Sequence, residues 1–410
     1  MSVHSGMSPP TRYDAFVITA PGLEPLAAAE LHALGLEDAR PSEGGVTISA
    51  SRAELYAANL NLRTASRIVV RAGEFGAKAF HELERRAAKV PWEAFVSPNL
   101  AVSLRVTCRK SRLYHSDAVA ERVATAIASR VRSVQFVDDA SNASGTRDES
   151  DDGDVGDTAD AVGGIGAGDA QAVPPQLVLV RLFHDRCTVS VDSSGPLLHV
   201  RGYRQAVGKA PIRETLAAAA LLAAGWRGDS PLLDPMCGSG TIPIEGALIA
   251  RRIAPGLRRS FAFQHWPDFD AKAWTRVRGQ AESAMLAAPP VVIQGSDRDA
   301  GAIESARANA ERAGLGNTVE FAERSISSME PTGERGMVVS NPPYGVRVGD
   351  RDRLRNLYAQ FGKVIRAKAP AWRVALISAD ETLERQTGLE LRPVLRTSNG
   401  GIRVRVVVTA

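Results

Sequence analysis

Ser340-Asn341-Pro342-Pro343-Tyr344-Gly345 follows the apolar run Met337-Val338-Val339, which reads as a buried strand. The polar residues then sit at a strand's carboxyl end, where open α/β sheets bind ligands. Two adjacent prolines restrict the backbone and withdraw two N–H donors. What remains is a set of acceptors, the Asn341 side-chain oxygen and the Pro342 carbonyl, with the Tyr344 ring beside them. A planar amino group on a nucleobase offers two N–H donors and a flat face, and is complementary to both. A bare strand-ending turn is the plainer reading of the same residues.

Leu232-Leu233-Asp234-Pro235-Met236-Cys237-Gly238-Ser239-Gly240-Thr241 is a second strand, a tight Gly-rich turn and a helix start. A phosphate-binding P-loop needs Lys-Ser/Thr after its last Gly, and here Thr-Ile-Pro follows. A dinucleotide fingerprint needs a third Gly where Pro243 stands. S-adenosylmethionine requires neither feature, and Asp234 offers a charge complementary to its ammonium and sulfonium groups. Asn-Pro-Pro-Tyr resembles the signature of methyltransferases acting on conjugated amino or amide nitrogens. Asp-Pro-Met-Cys-Gly-Ser-Gly-Thr resembles the first motif of amino-methyltransferases. The resemblance implies a cofactor site at Asp234, Met236, Cys237, Gly238, Gly240, Thr241 and Asn341, with Asn341, Pro342 and Tyr344 at the reacting amine.

Val291–Ser296 is the next strand, and Asp297 at its end can take both ribose hydroxyls. Asp299 reads as the cap of a helix over Ala300–Ala313 that stops at Gly314. Thr318–Ala322 is a third strand, followed by Ser325. Many relatives place an Asp there to bind the adenine amino group; Ser325 can accept one hydrogen bond but brings no charge. Trp372–Ala379 is a fifth strand, and Leu391–Arg396 and Ile402–Val408 flank the hairpin turn Ser398-Asn399-Gly400-Gly401.

A chain of 410 residues with 44% hydrophobic content has room for two or three domains with real cores. No uninterrupted apolar run reaches transmembrane length, and the first residues lack the apolar core of a secretory signal. Three scattered cysteines, Cys108, Cys187 and Cys237, make neither a disulfide framework nor a zinc site, so a reducing cytoplasm and no metal are expected. The net charge of +4 conceals a segregation: residues 138–172 hold ten acidic residues and one arginine, a net of −9, which leaves +13 on the rest. A basic body suits a polyanion such as RNA, although an Arg-rich solvated surface reads the same way. The acidic stretch is expected to be disordered, as are residues 1–11; it reads as a tolerated surface insertion.

Before the catalytic half, Tyr13–Ala20 and Gly45–Ser49 read as strands, Leu26–Leu34 as a helix, and Ser51-Arg52-Ala53-Glu54 as a capping box opening another. Arg67–Phe75, Leu100–Cys108, Gln176–Phe183 and Cys187–Val191 follow as strands, the last two joined around His184-Asp185, with helices at Ala79–Lys89 and Asp117–Val131. The run Asn59–Arg67 onward through Gly73-Glu74-Phe75, the pair Pro91-Trp92 and the run Cys108–His115 resemble the N-terminal half of the THUMP-containing rRNA and tRNA guanine methyltransferases (UPF0020-type RNA methylases). That resemblance implies a ferredoxin-like unit at 12–66, a THUMP RNA-binding domain at 67–195 and a methyltransferase domain at 196–410. Read from the residues, Arg109, Lys110 and Arg112 can contact phosphates and Tyr114 can stack on a base; a polar loop with one anchoring Tyr is the plainer alternative.

Gly195–Arg204 forms the bridge and ends in the family's Arg-Gly-Tyr-Arg element, with Arg204 expected at RNA. Pro211 is expected to open a helix running to Gly225. Arg251–Gly256 and Phe261–Pro267 resemble elements of the large-subunit guanine-N(2) branch; they are read either as cations and aromatics beside the site or as a cover over the sheet.

The expected protein is an α/β, Rossmann-like class I methyltransferase with a seven-stranded mixed sheet, preceded by α+β ferredoxin-like and THUMP domains. It is expected to be a monomer that uses S-adenosylmethionine to form N(2)-methylguanosine in large-subunit rRNA, with tRNA as the rival substrate. DNA adenine or protein glutamine methylation would not call for the THUMP-like half. An inactive RNA-binding assembly factor is the non-enzymatic alternative, which intact Asp234, Gly238, Gly240, Asp297 and Asn341 oppose. Some family members carry a second, fused methyltransferase; this chain ends after one such domain, so that activity is not expected.

Overall fold

The computed structural model describes residues 12–138, 173–204, 212–344 and 351–410. The expectations for residues 1–11, for the acidic stretch beyond Asp138 and for Pro211 lie outside the described residues, as does Gly345.

The N-terminal half is one eight-stranded sheet. Its first strands are β1 (Tyr13–Thr19), β2 (Arg40–Ser42) and β3 (Gly45–Ala50), with α1 (Glu24–Ala33) and α2 (Arg52–Asn61). Alternate residues of β1 are buried, as a half-covered strand requires. The capping box at α2 is formed: Glu54 N donates to Ser51 Oγ, and Ser51 N donates to Glu54 Oε2 at 2.7 Å. β4 (Ala65–Gly76) is long enough to serve two partners. Its start pairs with β1 and its end with β8 (Arg186–Asp192). The expected boundary at 66/67 therefore falls inside a strand that both N-terminal units share. α3 (Phe80–Ala87), β5 (Ala101–Arg109), α4 (Ser116–Ala128), β6 (Gln135–Val137) and β7 (Gln176–Phe183) complete this half, in the strand order β2-β3-β1-β4-β8-β7-β5-β6. The β7–β8 hairpin turns on His184 and Asp185, both in the left-handed region.

The second half begins with α5 (Glu214–Ala223), three residues later than the proline signal suggests. β9 (Leu232–Asp234), α6 (Thr241–Ala250), α7 (Ala271–Ser283), β10 (Ile293–Asp297), α8 (Ala300–Arg312), β11 (Glu320–Glu323) and β12 (Met337–Ser340) follow. α9 (Arg351–Lys368), β13 (Arg373–Ser378), α10 (Glu381–Gln386), β14 (Leu391–Asn399) and β15 (Ile402–Thr409) end the chain. The seven-stranded order is β11-β10-β9-β12-β13-β15-β14, five parallel strands finished by an antiparallel hairpin. The order reverses between β9 and β12, which makes their carboxyl ends the topological switch point. These strands carry Asp234 and Asn341.

The aromatics of the insert, expected beside the site or over the sheet, pack into the N-terminal core. The insert is the seam between the halves. α7 packs on α2, and Phe261, Phe263 and Trp266 are buried in the N-terminal core. Tyr56 stacks on Phe263 at 4.2 Å between ring centres, and Trp274 meets both edge-on. Trp266 Nε1 donates to Gln176 Oε1 at 2.9 Å, and Tyr13 OH donates to Asp268 at 2.7 Å. Aromatics with their polar atoms satisfied are worth more as such a seam than exposed to water. On the other side Leu23, which follows β1, is buried in the core of the second half.

Candidate active site

Asp234 ends β9 almost fully buried, and one of its oxygens accepts from Ser340 Oγ at 2.6 Å and from Met236 N at 3.1 Å. β9 and β12 are thus crosslinked at the level where both leave the sheet. Burial pushes the Asp234 carboxyl up to about 7, and the nearby Asp297 charge acts in the same direction. Such a group favours a cationic ligand, which would return its charge to a balanced setting.

The loop after Asp234 is tied down by its neighbours. Cys237 N donates to Ser296 O at 3.0 Å, and Gly238 N donates to Asp297 Oδ2 at 3.0 Å. The other Asp297 oxygen accepts from Asp299 N at 3.0 Å, and Asp299 caps α8 through Gly301 N and Ala302 N. Asn309 on α8 donates to Ser239 O at 3.0 Å. Sequence reasoning missed Asn309; the signal was a polar residue between Ala306 and Ala310 on the buried face of that helix.

Gly238 and Gly240 both have positive φ, +52° and +83°. A Cβ on Gly240 would lie 2.9 Å from the Phe321 ring and 3.0 Å from Ala306 Cβ, so this glycine serves packing. A Cβ on Gly238 would meet nothing within 4 Å. The loop therefore presents bare backbone at Gly238, whose N–H is held by Asp297.

Asn341 follows β12, and its Oδ1 is buried without a hydrogen-bond partner. Burying an acceptor unpaired is costly, so this oxygen points to a donor supplied by a ligand. Pro342 is buried, Pro343 exposed, and Tyr344 half-buried against the catalytic core. Met236 is half-buried and packs under the sheet with the α9 core. Cys237 is buried, and burial holds its thiol well above the usual range, which makes it a packing residue rather than a nucleophile.

Two expected positions differ in surroundings. Arg204, expected at RNA, is engaged within the fold: it donates to Thr241 Oγ1 at 2.8 Å and to the Ile212 carbonyl, and pairs with the buried Glu214 at 3.3 Å. These contacts tie Arg204 to the first residue of α6 and engage the Thr241 hydroxyl. Ser325 is exposed beyond β11, its hydroxyl 3.1 Å from that of Ser328. The pair could offer hydroxyls to an adenine edge. Among the described residues no cluster of three or more His, Cys, Asp or Glu could hold a metal ion.

The loop after β5 stands apart from this site. Lys110 is left-handed, Leu113 is buried as its anchor, and Asp185 of the β7–β8 turn accepts from Arg112 N at 2.8 Å. Arg109, Lys110 and Arg112 are exposed, and Tyr114 is 68% exposed. Phe183, 39% exposed, lies beside them under the Arg181 guanidinium at 5.4 Å. These last two were not singled out in the sequence, where they look like the outward positions of an ordinary strand.

A carboxylate at each of two adjacent strand ends, an open glycine backbone and an orphan acceptor fit an S-adenosylmethionine molecule and a planar amine. Comparison with known proteins agrees. The family described as RMKL-like methyltransferase domain (UPF0020) matches residues 201–402, and the RlmL ferredoxin-like domain matches 14–69. "Putative RNA methyltransferase slr0064" of Synechocystis is 32% identical over 389 residues, covering 94% of each chain. Ribosomal RNA large subunit methyltransferase K/L of Methylococcus capsulatus is 33% identical over 407 residues, 97% of this chain and 51% of the relative. The chain thus spans about half the length of that relative. The crystal structure of SMU.472 complexed with SAH superposes with a TM-score of 0.81 at 28% identity, covering 98% of each chain.

Proposed function

The chain belongs to the UPF0020 family of RMKL-like, S-adenosylmethionine-dependent methyltransferases, and from that premise we propose that it methylates the 2-amino group of a guanine in RNA, in the large ribosomal subunit. The observation that carries the reaction is the orphan Asn341 Oδ1 at the switch point. The rRNA assignment is supported by the K/L relative's name and by the RlmL match at the N-terminus.

In this reading Asp234 and Asp297 hold the cofactor's cationic and ribose portions, and the Gly238 backbone admits it closely. Ser325 and Ser328 would offer hydroxyls to its adenine edge. The bound cofactor supplies an electrophilic methyl group and a neutral thioether leaving group. Asn341 Oδ1 and the Pro342 carbonyl accept the two amino hydrogens of the target. The lone pair of that nitrogen is delocalised into the ring, and fixing both hydrogens favours a pyramidal nitrogen with its lone pair aimed at the methyl. Tyr344 stacks on the extruded base. After transfer, the surplus proton lies on a hydrogen bond to one of these two oxygens and leaves to water.

The N-terminal half, two units joined through β4, delivers the RNA, and Arg109, Lys110, Arg112 and Tyr114 with Phe183 meet it. The enzyme acts as a monomer in the cytoplasm, where its substrate is made. The test is single-turnover transfer by Asn341→Ala. Loss of one pre-organised polar partner lowers the rate on the order of a hundredfold or more, with cofactor affinity retained. Near-normal turnover would remove Asn341 from the mechanism.

A further inference from the structure

We propose that Asn399, at the tip of the β14–β15 hairpin, is a positioning residue that fixes the ring of Tyr344 for the target base. Asn399 Nδ2 donates to the Tyr344 hydroxyl at 3.0 Å, across 55 positions of sequence. The prolines before Tyr344 restrict the backbone that leads to it, but they leave the two side-chain torsions of the ring free. A half-buried ring at a site mouth therefore needs a second fixed point. The hairpin provides it at the far end of the ring.

The anchor is itself well supported. Asn399 pairs with Ile402 as the last rung of the hairpin, and Gly400 and Gly401, at φ +56° and +78°, close the two-residue turn. β15 pairs with β13 and β13 with β12, so the hairpin is part of the same sheet that delivers Asn341. Amine acceptors and ring anchor are thus set by one hydrogen-bonded frame. Because the hydroxyl accepts from Asn399, its own proton remains available to donate outward.

This inference rests on the reading that Tyr344 touches the base, and the experiment separates the two. Single-turnover methylation of undermodified large-subunit rRNA would be measured for Asn399→Ala, Tyr344→Phe, their double variant and Tyr344→Ala, with cofactor affinity measured for each. Asn399→Ala and Tyr344→Phe each lower the rate by about five- to tenfold, the range of one neutral hydrogen bond. The double variant is no slower than either single one, because both remove the same hydrogen bond. Cofactor affinity stays as in the parent, which a general loss of structure would not allow. Tyr344→Ala costs roughly tenfold to a hundredfold, as for loss of a stacked base. If Tyr344→Ala is as active as the parent, the base-stacking reading fails. If Tyr344→Ala is slow while Asn399→Ala and Tyr344→Phe are unaffected, or their effects add, base stacking stands and the positioning role is overturned. Should Asn399→Ala disturb the hairpin, Tyr344→Phe still decides the matter, since it keeps the hairpin and removes the bond.

Discussion

Alanine at Gly240 and alanine at Gly238 separate what folds the cofactor loop from what admits the cofactor. Both residues have positive φ, so either substitution carries a backbone cost of about 1–2 kcal/mol. At Gly240 the new methyl also meets the Phe321 ring at 2.9 Å and Ala306 Cβ at 3.0 Å. Overpacking of that kind adds about 1–3 kcal/mol. The total is roughly 2–5 kcal/mol, and at about 2–4 °C per kcal/mol for a domain of this size the midpoint falls by on the order of 10 °C. At Gly238 nothing lies within 4 Å of the methyl, and the midpoint falls by only a few degrees, roughly the backbone cost. In the proposed site the methyl instead occupies open space that the cofactor would need. A comparable overpacking cost then falls on binding, which is about tenfold or more in affinity. Thermal unfolding together with calorimetric titration of S-adenosylhomocysteine reads both quantities. The expected pattern is crossed: Gly240→Ala mainly unstable, Gly238→Ala mainly unable to bind. A Gly238→Ala protein that binds like the parent would show that the open space is not the cofactor's.

Three further outcomes follow from the same geometry. Asp234 is held near 7 by burial, against an ordinary 3.8; without ligand the folded state keeps a proton that the unfolded chain loses, so stability falls as pH rises from about 4 to about 7 and then levels. A cationic ligand favours the ionised form, so affinity for S-adenosylmethionine rises between pH 6 and 8 with proton release below 7, and Asp234→Asn flattens both trends; calorimetry in buffers of different ionisation enthalpy measures this. Arg204→Ala leaves the buried Glu214 unpaired and costs about 3–5 kcal/mol of stability, with weaker cofactor binding and unchanged RNA affinity, and Arg204→Lys restores part of it. Replacing Arg109, Lys110 or Arg112 with Ala weakens RNA binding and lowers the slope of log K against log salt by roughly 0.7–0.9 for each phosphate no longer neutralised, leaving cofactor affinity alone in the same titrations.

Local chemistry made much of this molecule legible. The Ser51–Glu54 capping box, the left-handed turn at His184-Asp185, the Asp299 cap and the two motif loops are each decided within a few residues, and each is found where the residues put it. Short exposed strands such as β2 and β6 carry no alternation to detect. The insert shows why long-range features resist such reading. Phe261, Phe263 and Trp266 form an apolar run whether they meet a base, a sheet or another domain, and only Tyr56 and Gln176, far away in sequence, decide between these. Arg204 is similar: a cation at a junction suggests a phosphate until Glu214 and Thr241 are placed beside it. Asn309 and Asn399 act through single long-range hydrogen bonds, which leave no periodic trace.

The most direct test of the central claim offers the purified protein undermodified large-subunit rRNA and, separately, tRNA, with labelled S-adenosylmethionine. Nuclease digestion and mass spectrometry then identify the product nucleoside. N(2)-methylguanosine in rRNA, absent with Asn341→Ala, is the predicted result. Label on another base, or no label in either RNA while the cofactor binds, would contradict it.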